Sequence, residues 1–304
     1  MIIFIERWLA VVYKISTSKL MAVIAVLTFI VGAVSVFYSV TLFLADHPEG
    51  SSDLHVTQWS GYLAGSDVQN RSPVVSSVSG SWVVPGVNPS ENMTFSGIWV
   101  GIGGYGEETL IQTGTEQEYY NGKPVYYAWY ELLPDYLVKI PQIHVQPGDK
   151  MTASISLLNE AEDIWSIKIS DVTRGTHFEK TVVYNSSRLS AEWIVERPKV
   201  NGTVSTLADF ETATFTDCTA TINGVTGVIG NFSYARLVMH DEDTPLVSVS
   251  LLTSDESGFT VKYLEQTSPT PSASPFTRTV AVQNSLALAK NAVSKKTLQV
   301  AEGN

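Results

Sequence analysis

Three short stretches carry the polar residues whose setting suits them for chemistry. The first is WVGIGGYGEETLIQTGTE, residues 99–116, where an uncharged amide, Gln112, follows a cluster of four glycines, Gly101, Gly103, Gly104 and Gly106. An amide among apolar neighbours is either a hydrogen-bonded core group or a tool that donates and accepts hydrogen bonds in a site. The second stretch is SAEWIVER, residues 190–197. At a period of two it puts Glu192, Ile194 and Glu196 on one strand face and Trp193 and Val195 on the other. A carboxyl buried among such neighbours takes a raised pKa, because desolvation disfavours its charged form. It can then accept a proton in one step and return it in the next. The third stretch is AWYE at 128–131, followed by Pro134-Asp135-Tyr136. On a concave sheet face Trp129 and Glu131 would line a groove for an extended ligand.

More familiar arrangements are missing from the sequence. The five histidines, His47, His55, His144, His177 and His240, are scattered, and none pairs with another His or a Cys at metal-ligand spacing. There is no GxSxG elbow, phosphate loop or dinucleotide fingerprint, so neither a metal nor a cofactor is expected. The Asp-Thr-Gly or Asp-Ser-Gly pair of a pepsin-type aspartic peptidase is absent, and Gln112-Thr113-Gly114 stands in its place. The single cysteine, Cys218, allows no intrachain disulfide and reads as a small buried residue. A net charge of −11 leaves no basic surface for phosphates, which argues against a nucleic-acid partner. Few Lys and Arg also mean little self-repulsion once the carboxylates are protonated, which suits an acidic medium.

Those residues must be held by strands. From 54 to 264 short runs rich in Val, Ile, Thr, Tyr and Trp alternate with Gly, Pro, Asn, Asp and Ser clusters; examples lie at 74–84, 151–157, 164–169, 181–184, 212–215 and 247–252. Pro147-Gly148-Asp149 and Asn223-Gly224 are turn signals, and no helical periodicity appears. The pattern predicts one all-β domain over 58–265, an antiparallel sandwich or barrel. Residues 20–45 are free of charge and long enough to span a bilayer. Arg7, Lys14 and Lys19 precede them, and Asp46, Glu49 and Asp53 follow, so 1–19 is expected in the cytoplasm, 46–57 as a linker, and the β domain outside. Cleavage of the N-terminal segment would make the domain a secreted one. Residues 266–304 read as a Pro/Ser/Thr linker and a tail. Glycosylation sequons at Asn70, Asn92, Asn185, Asn201 and Asn231 agree with an external location.

Taken in order, several pieces resemble the glutamic peptidases (the eqolisin family, peptidase family G1), known mainly as acid endopeptidases of fungi. They are WSGY at 59–62, SGSWVVP at 79–85, WVGI at 99–102, LIQTG at 110–114, AWYE at 128–131, PDY at 134–136, PGD at 147–149, AEWIVE at 191–196 and GFTVKY at 258–263. The resemblance spans about 58 to 264. It implies a curved antiparallel β-sandwich, concanavalin- or jelly-roll-like, polypeptide substrates, and a catalytic pair of one glutamine and one glutamate on the concave face. The glutamine carries over to Gln112. The glutamate carries over to Glu192, the acid directly before the tryptophan of its motif, with Glu196 as runner-up on the same face. Trp99, Trp129, Glu131 and Glu116 are the expected substrate-binding residues. Two departures stand out: Gly103 occupies a position where the family usually has an Asp, and Glu116 a position where a second Asp often follows.

Two other readings compete. A lectin-like or adhesive β-sandwich would keep the scaffold and aromatic groove without catalysis. A glycan hydrolase on a similar sandwich would need two carboxylates at a set separation, such as Glu131 with Glu192 or with Glu196. The peptidase reading requires Gln112 and Glu192 to converge on one concave face with room for a water.

Overall fold

The alternation in Thr94–Gly103 sets the architecture around the candidate residues. Every residue of this strand is buried. Ile98, Val100 and Ile102 point to one side, and Gly97, Trp99 and Gly101 to the other. A slip of one residue would exchange the two sets, so burial of both faces fixes the register.

The computed structural model describes residues 53–266. The expected membrane segment at 20–45, the 1–19 segment, most of the 46–57 linker and the tail after 266 lie outside the described residues. Among the described residues no helix is long and apolar enough to cross a membrane.

In chain order the first strands are β1 (Asp53–Val56), β2 (Trp59–Gly65), β3 (Val75–Val83), β4 (Thr94–Gly103), β5 (Leu110–Tyr120), β6 (Lys123–Leu132) and β7 (Val138–Lys139). Next come β8 (Lys150–Asn159), β9 (Ile164–Asp171), β10 (Thr176–Val183), β11 (Ala191–Glu196), β12 (Lys199–Val200) and β13 (Thr203–Val204). The last are β14 (Thr212–Ile222), β15 (Val225–Val228), β16 (Ser233–Asp241), β17 (Thr244–Pro245), β18 (Val247–Val249) and β19 (Phe259–Tyr263). One 3₁₀ turn, Ile229–Asn231, is the only helix among the described residues. The expected all-β sandwich is therefore borne out.

One sheet runs β1-β16-β2-β11-β4-β5-β6-β7, with β17 added to β16; the other runs β10-β9-β8-β3-β14-β19-β18, with β15 added to β14. Pairing is antiparallel except between β1 and β16, which are parallel. Strand β11 enters the first sheet between β2 and β4, far from both in sequence. That insertion brings Glu192 and Glu196 beside Gly97–Gly103.

The space between the sheets holds Tyr62, Trp82, Ile98, Val100, Trp165, Trp193, Phe215 and Phe259. Each large apolar side chain buried there contributes about 1.5–3 kcal/mol. The buried indoles also satisfy their N–H groups. Trp82 Nε1 donates to Thr115 Oγ1 (3.0 Å), Trp165 Nε1 to the Tyr184 carbonyl (2.9 Å) and Trp193 Nε1 to the Ser79 carbonyl (2.7 Å). Cys218 is fully buried, and burial pushes its thiol pKa well up. A smaller cluster lies on the opposite face of the first sheet: Leu63, Trp99, Leu110, Trp129, Ile194, Ala235 and Leu237. The candidate residues share that face.

Candidate active site

The register of the first sheet lines these residues up in transverse rows. Glu192 pairs with Gly101, Gly101 with Gln112, and Gln112 with Glu131, so the four stand side by side across β11, β4, β5 and β6. Four residues away along β11 a second row runs Trp59, Glu196, Gly97, Glu116 and Tyr127. Between the rows Trp99 stands level with Ile194, Gly114 and Trp129. The same parity that buries Trp193 and Val195 between the sheets sends Glu192 and Glu196 to the opposite face, as their spacing predicted.

A cleft of about 720 Å³ opens on this face. Gln112, Glu116, Trp129, Glu131 and Glu196 line it, together with Trp59, Tyr105, Leu110, Tyr136 and Lys199. Glu192 and Trp99 are not in the lining, and each is 0% exposed. The reason lies over Gly101. A Cβ built there would fall 2.8 Å from Trp99 Cζ3 and 3.0 Å from Leu110 Cδ1. The indole and the leucine thus fill the space that the glycine leaves between Glu192 and Gln112. The two candidate residues share a face and a row, with Gln112 in the cleft wall and Glu192 buried behind it.

Gln112 is 3% exposed, and its Nε2 donates to Glu131 Oε2 at 2.6 Å. An acceptor on β6 fixes the amide end, so Oε1 faces away, buried and without a partner. The Trp129 indole N–H is likewise buried and unpartnered in the cleft wall. Such groups retain hydrogen-bonding capacity for whatever occupies the cleft. Both carboxylate oxygens of Glu192 are buried without a hydrogen bond.

Burial dominates the electrostatics. It raises the Glu192 pKa well above the usual carboxylate range; the nearby Ser190 hydroxyl pulls it down, the Glu107 charge raises it, and Arg71 and the Gly103 amide lower it. Arg71 and Glu107 pair at 3.6 Å, and Arg71 also donates to the Tyr105 carbonyl, which ties down the glycine-rich loop. Glu116 is also raised strongly, first by burial, then by the charges of Glu118 and Glu196, with Lys139 opposing. Burial lifts Glu196 to about 7, although the Trp99 and Trp59 indoles draw it down. Glu131 is raised by burial against its hydrogen bonds from Gln112 and the Leu137 backbone. These carboxyls therefore hold protons well above the pH at which exposed glutamates lose them.

Of the residues singled out from sequence, the structure brings Gln112, Glu131, Glu116, Trp129 and the runner-up acid Glu196 together in the cleft and buries Glu192 and Trp99 behind it. Trp59 was quoted within a motif but given no role. Here it lines the cleft and meets Trp99 edge-on, with ring centroids 5.0 Å apart. Tyr105 and Leu110 also lie within the quoted 99–116 stretch without a role, and Lys199 was not singled out. Its only sequence signal is proximity to the 190–197 stretch, since the β2–β11 pairing joins segments far apart in the chain.

A family model described as Peptidase A4 family matches residues 57–263. Among curated proteins, Aspergillopepsin-2 of Aspergillus niger is 35% identical over 133 residues, 42% of this chain and 46% of that protein. Scytalidopepsin B of Scytalidium lignicola is 27% identical over 164 residues, 50% of this chain and 61% of that protein. The matched regions thus span about half the length of these curated relatives. Among solved structures, scytalido-glutamic peptidase with a transition state analog inhibitor superposes with a TM-score of 0.58 at 23% identity, covering 68% of this chain and 98% of that one. At that identity the likeness concerns the fold. Aspergilloglutamic peptidase from Aspergillus niger gives a TM-score of 0.50 at 28% identity, covering 56% and 99%. These matches bear out the resemblance to the glutamic peptidases, and the chain belongs to the Peptidase A4 family.

Proposed function

We propose that the chain is an acid-type endopeptidase in which Gln112 and Glu192 act on a water and the scissile peptide bond. The observation that carries this reading is the transverse row on the cleft face, where the two residues flank one glycine. Membership of the Peptidase A4 family supports it. In the first step Glu192, as carboxylate, takes a proton from the water, and the water oxygen bonds to the carbonyl carbon. The second hydrogen of Gln112 Nε2, not used by Glu131, donates to the oxyanion that forms. The Gln112 Oε1, unpartnered in the cleft, helps orient the water. In the second step the carbon–nitrogen bond breaks as Glu192 returns its proton to the leaving amine. Trp129, Glu131 and Glu116 line the path of the extended polypeptide.

The test is digestion of a denatured protein by the full-length chain between pH 3 and 8, with Glu192→Gln and Gln112→Ala as controls. Cleavage that both substitutions abolish supports the reading; full activity in both refutes the pair. A second assignment has one observation in its favour: Glu196, not Glu192, lines the cleft with Gln112. Loss of cleavage in Glu196→Gln with retention in Glu192→Gln would select it.

The anchor at 20–45 and the external placement of the β domain complete the proposal, resting on the charge-free run and the basic residues before it. Resistance of the chain to alkaline extraction from membranes, with the domain accessible to external protease, is the expected result.

A further inference from the structure

Arg71, Lys139 and Arg197 neighbour residues of the cleft lining, and each is already engaged. Arg71 pairs with Glu107 at 3.6 Å and donates to the Tyr105 carbonyl. Lys139, level with Trp129, lies over the Tyr127 ring, 3.4 Å from its centroid. Arg197 contacts Asp241 at 3.6 Å and donates to the Thr57 carbonyl at 3.0 Å. Lys199 differs from all of them. It is exposed, it is the one basic residue in the cleft lining, and among the described residues it forms no ion pair.

The backbone that carries Lys199 is held on both sides. Before it, the Arg197 N–H donates to the Gln58 carbonyl at 2.7 Å, and Gln58 Nε2 donates to the Arg197 carbonyl at 3.3 Å. After it, Lys199 pairs with Val204 across the β12–β13 hairpin, and the Ser205 N–H donates to the Pro198 carbonyl at 3.0 Å. The turn residues Asn201 and Gly202 both take positive φ, 52° and 79°, the primed geometry that matches the twist of a hairpin. The ammonium thus extends from a fixed backbone at the edge of the cleft.

We propose that Lys199 is a specificity-determining residue: its ammonium pairs with a carboxylate of the bound polypeptide and biases cleavage toward acidic sequences. The inference rests on the peptidase reading of the cleft, and it holds whichever carboxyl, Glu192 or Glu196, is the base. A lysine is a compact point charge on a flexible stem, so it reads charge with little demand on geometry. The acids of the lining compete poorly for it, because burial opposes the charged forms of Glu116, Glu131 and Glu196. Glu196, three residues earlier, feels the Lys199 charge through space without forming an ion pair. An Asp or Glu of an unfolded substrate is largely ionised at pH 5. It brings Lys199 the partner that the cleft does not supply.

The test uses the full-length chain and apolar peptides with amidated C-termini, in which one Glu, or Gln in its place, is walked along the sequence. Cleavage at pH 5 is followed by mass spectrometry. With the acid at one position relative to the scissile bond, the native chain is expected to favour the Glu peptide about fivefold in kcat/KM, the upper end for a partly exposed ion pair. High salt shrinks that preference. In Lys199→Gln the two peptides are cleaved alike, and in Lys199→Glu the preference passes to a Lys in the same place. Free-acid versions of the peptides separate the two sources of the carboxylate: a Lys199-dependent preference for them over the amides places the chain end, not a side chain, at the ammonium. Equal cleavage of Glu and Gln peptides and of acids and amides, or a preference that Lys199→Gln leaves intact, overturns the inference. So does a Lys199→Gln change by the same factor on every peptide, the mark of a lysine that acts only through Glu196. Fluorescence anisotropy on the same peptides keeps the two readings apart. A chain that cleaves nothing, yet binds the acidic peptides more tightly only when Lys199 is present, retains the role of the lysine and removes the peptidase reading; one that neither cleaves nor distinguishes them loses both.

Discussion

Glu192 and Glu196 sit four residues apart on the same face of one strand, yet they meet opposite environments. Each faces a glycine of β4, Gly101 or Gly97, and beyond it a polar residue of β5, Gln112 or Glu116. At Gly101 the vacated space is filled by Trp99 and Leu110, so Glu192 is sealed. At Gly97 the nearest atom to an added Cβ would be a Glu116 carboxylate oxygen at 3.1 Å, and Glu196 remains on the cleft wall. The same backbone device thus gives a buried carboxyl and a cleft-lining one. The side chain placed between the rows decides which is which.

The sharpest way to break this contrast is to remove each acid in turn. Glu192→Gln keeps the shape of the buried carboxyl and removes its basicity. The expected loss in kcat/KM on a denatured-protein substrate is about 10³-fold or more, within the range of general acid–base catalysis. Glu196→Gln removes the carboxyl that lines the cleft, and a larger loss there than in Glu192→Gln would move the base from the buried row to the cleft-lining one. Equal losses in the two variants would erase the distinction between the rows. Gln112→Ala is expected to cost about 10²–10³-fold in kcat, the usual cost of one oxyanion donor. A loss confined to KM would instead make Gln112 a binding residue.

The contrast also explains how far the sequence could be read. Period-two alternation alone put Glu192, Ile194 and Glu196 on one face and Trp193 and Val195 on the other, and the sheet keeps that division. The strand-and-turn texture of 54–264 was legible for the same reason: half-buried strands write their two faces into adjacent residues. The 247–252 run, by contrast, stops as a strand at Val249. What could not be read was lateral order. Trp59 meets Glu196, and Gln112 meets Glu131, through pairings set by the topology of the whole sheet. Nor does a glycine in a strand announce which side chain will lie across it. Trp99 is a substrate-groove residue by resemblance, and in the structure its ring is buried beside Gly101.

Titration of the buried acids offers a test on stability in place of rate. Glu116 is 4% exposed, and its folded pKa is raised well above the ordinary 4.5 by burial and by like charges. The folded state therefore binds more protons than the unfolded chain at any pH between those two values. Stability from this group is fully present below about 4.5 and declines as pH rises toward the folded value. The slope is at most about 1.4 kcal/mol per pH unit for each such group. Glu116→Gln should remove that part of the decline. In urea melts at pH 4 and pH 7 the variant is expected to match the native chain at pH 4 and to exceed it at pH 7. A constant difference at both pH values would mean that the substitution acts through packing alone.

The smallest effects should come from the two glycines. Gly101→Ala drives a methyl to within 2.8 Å of a rigid indole ring, which must shift or strain; overpacking of this kind costs about 1–3 kcal/mol. Gly97→Ala meets the far end of a flexible side chain, Glu116 Oε2, at 3.1 Å, and that group can give way. The alanine also restricts the unfolded chain, which offsets about 0.4–1 kcal/mol. The expected net change at Gly97 is below about 1 kcal/mol in either direction. Urea melts of the two variants check the pair, and equal destabilisation at both glycines would show that the two rows are packed alike.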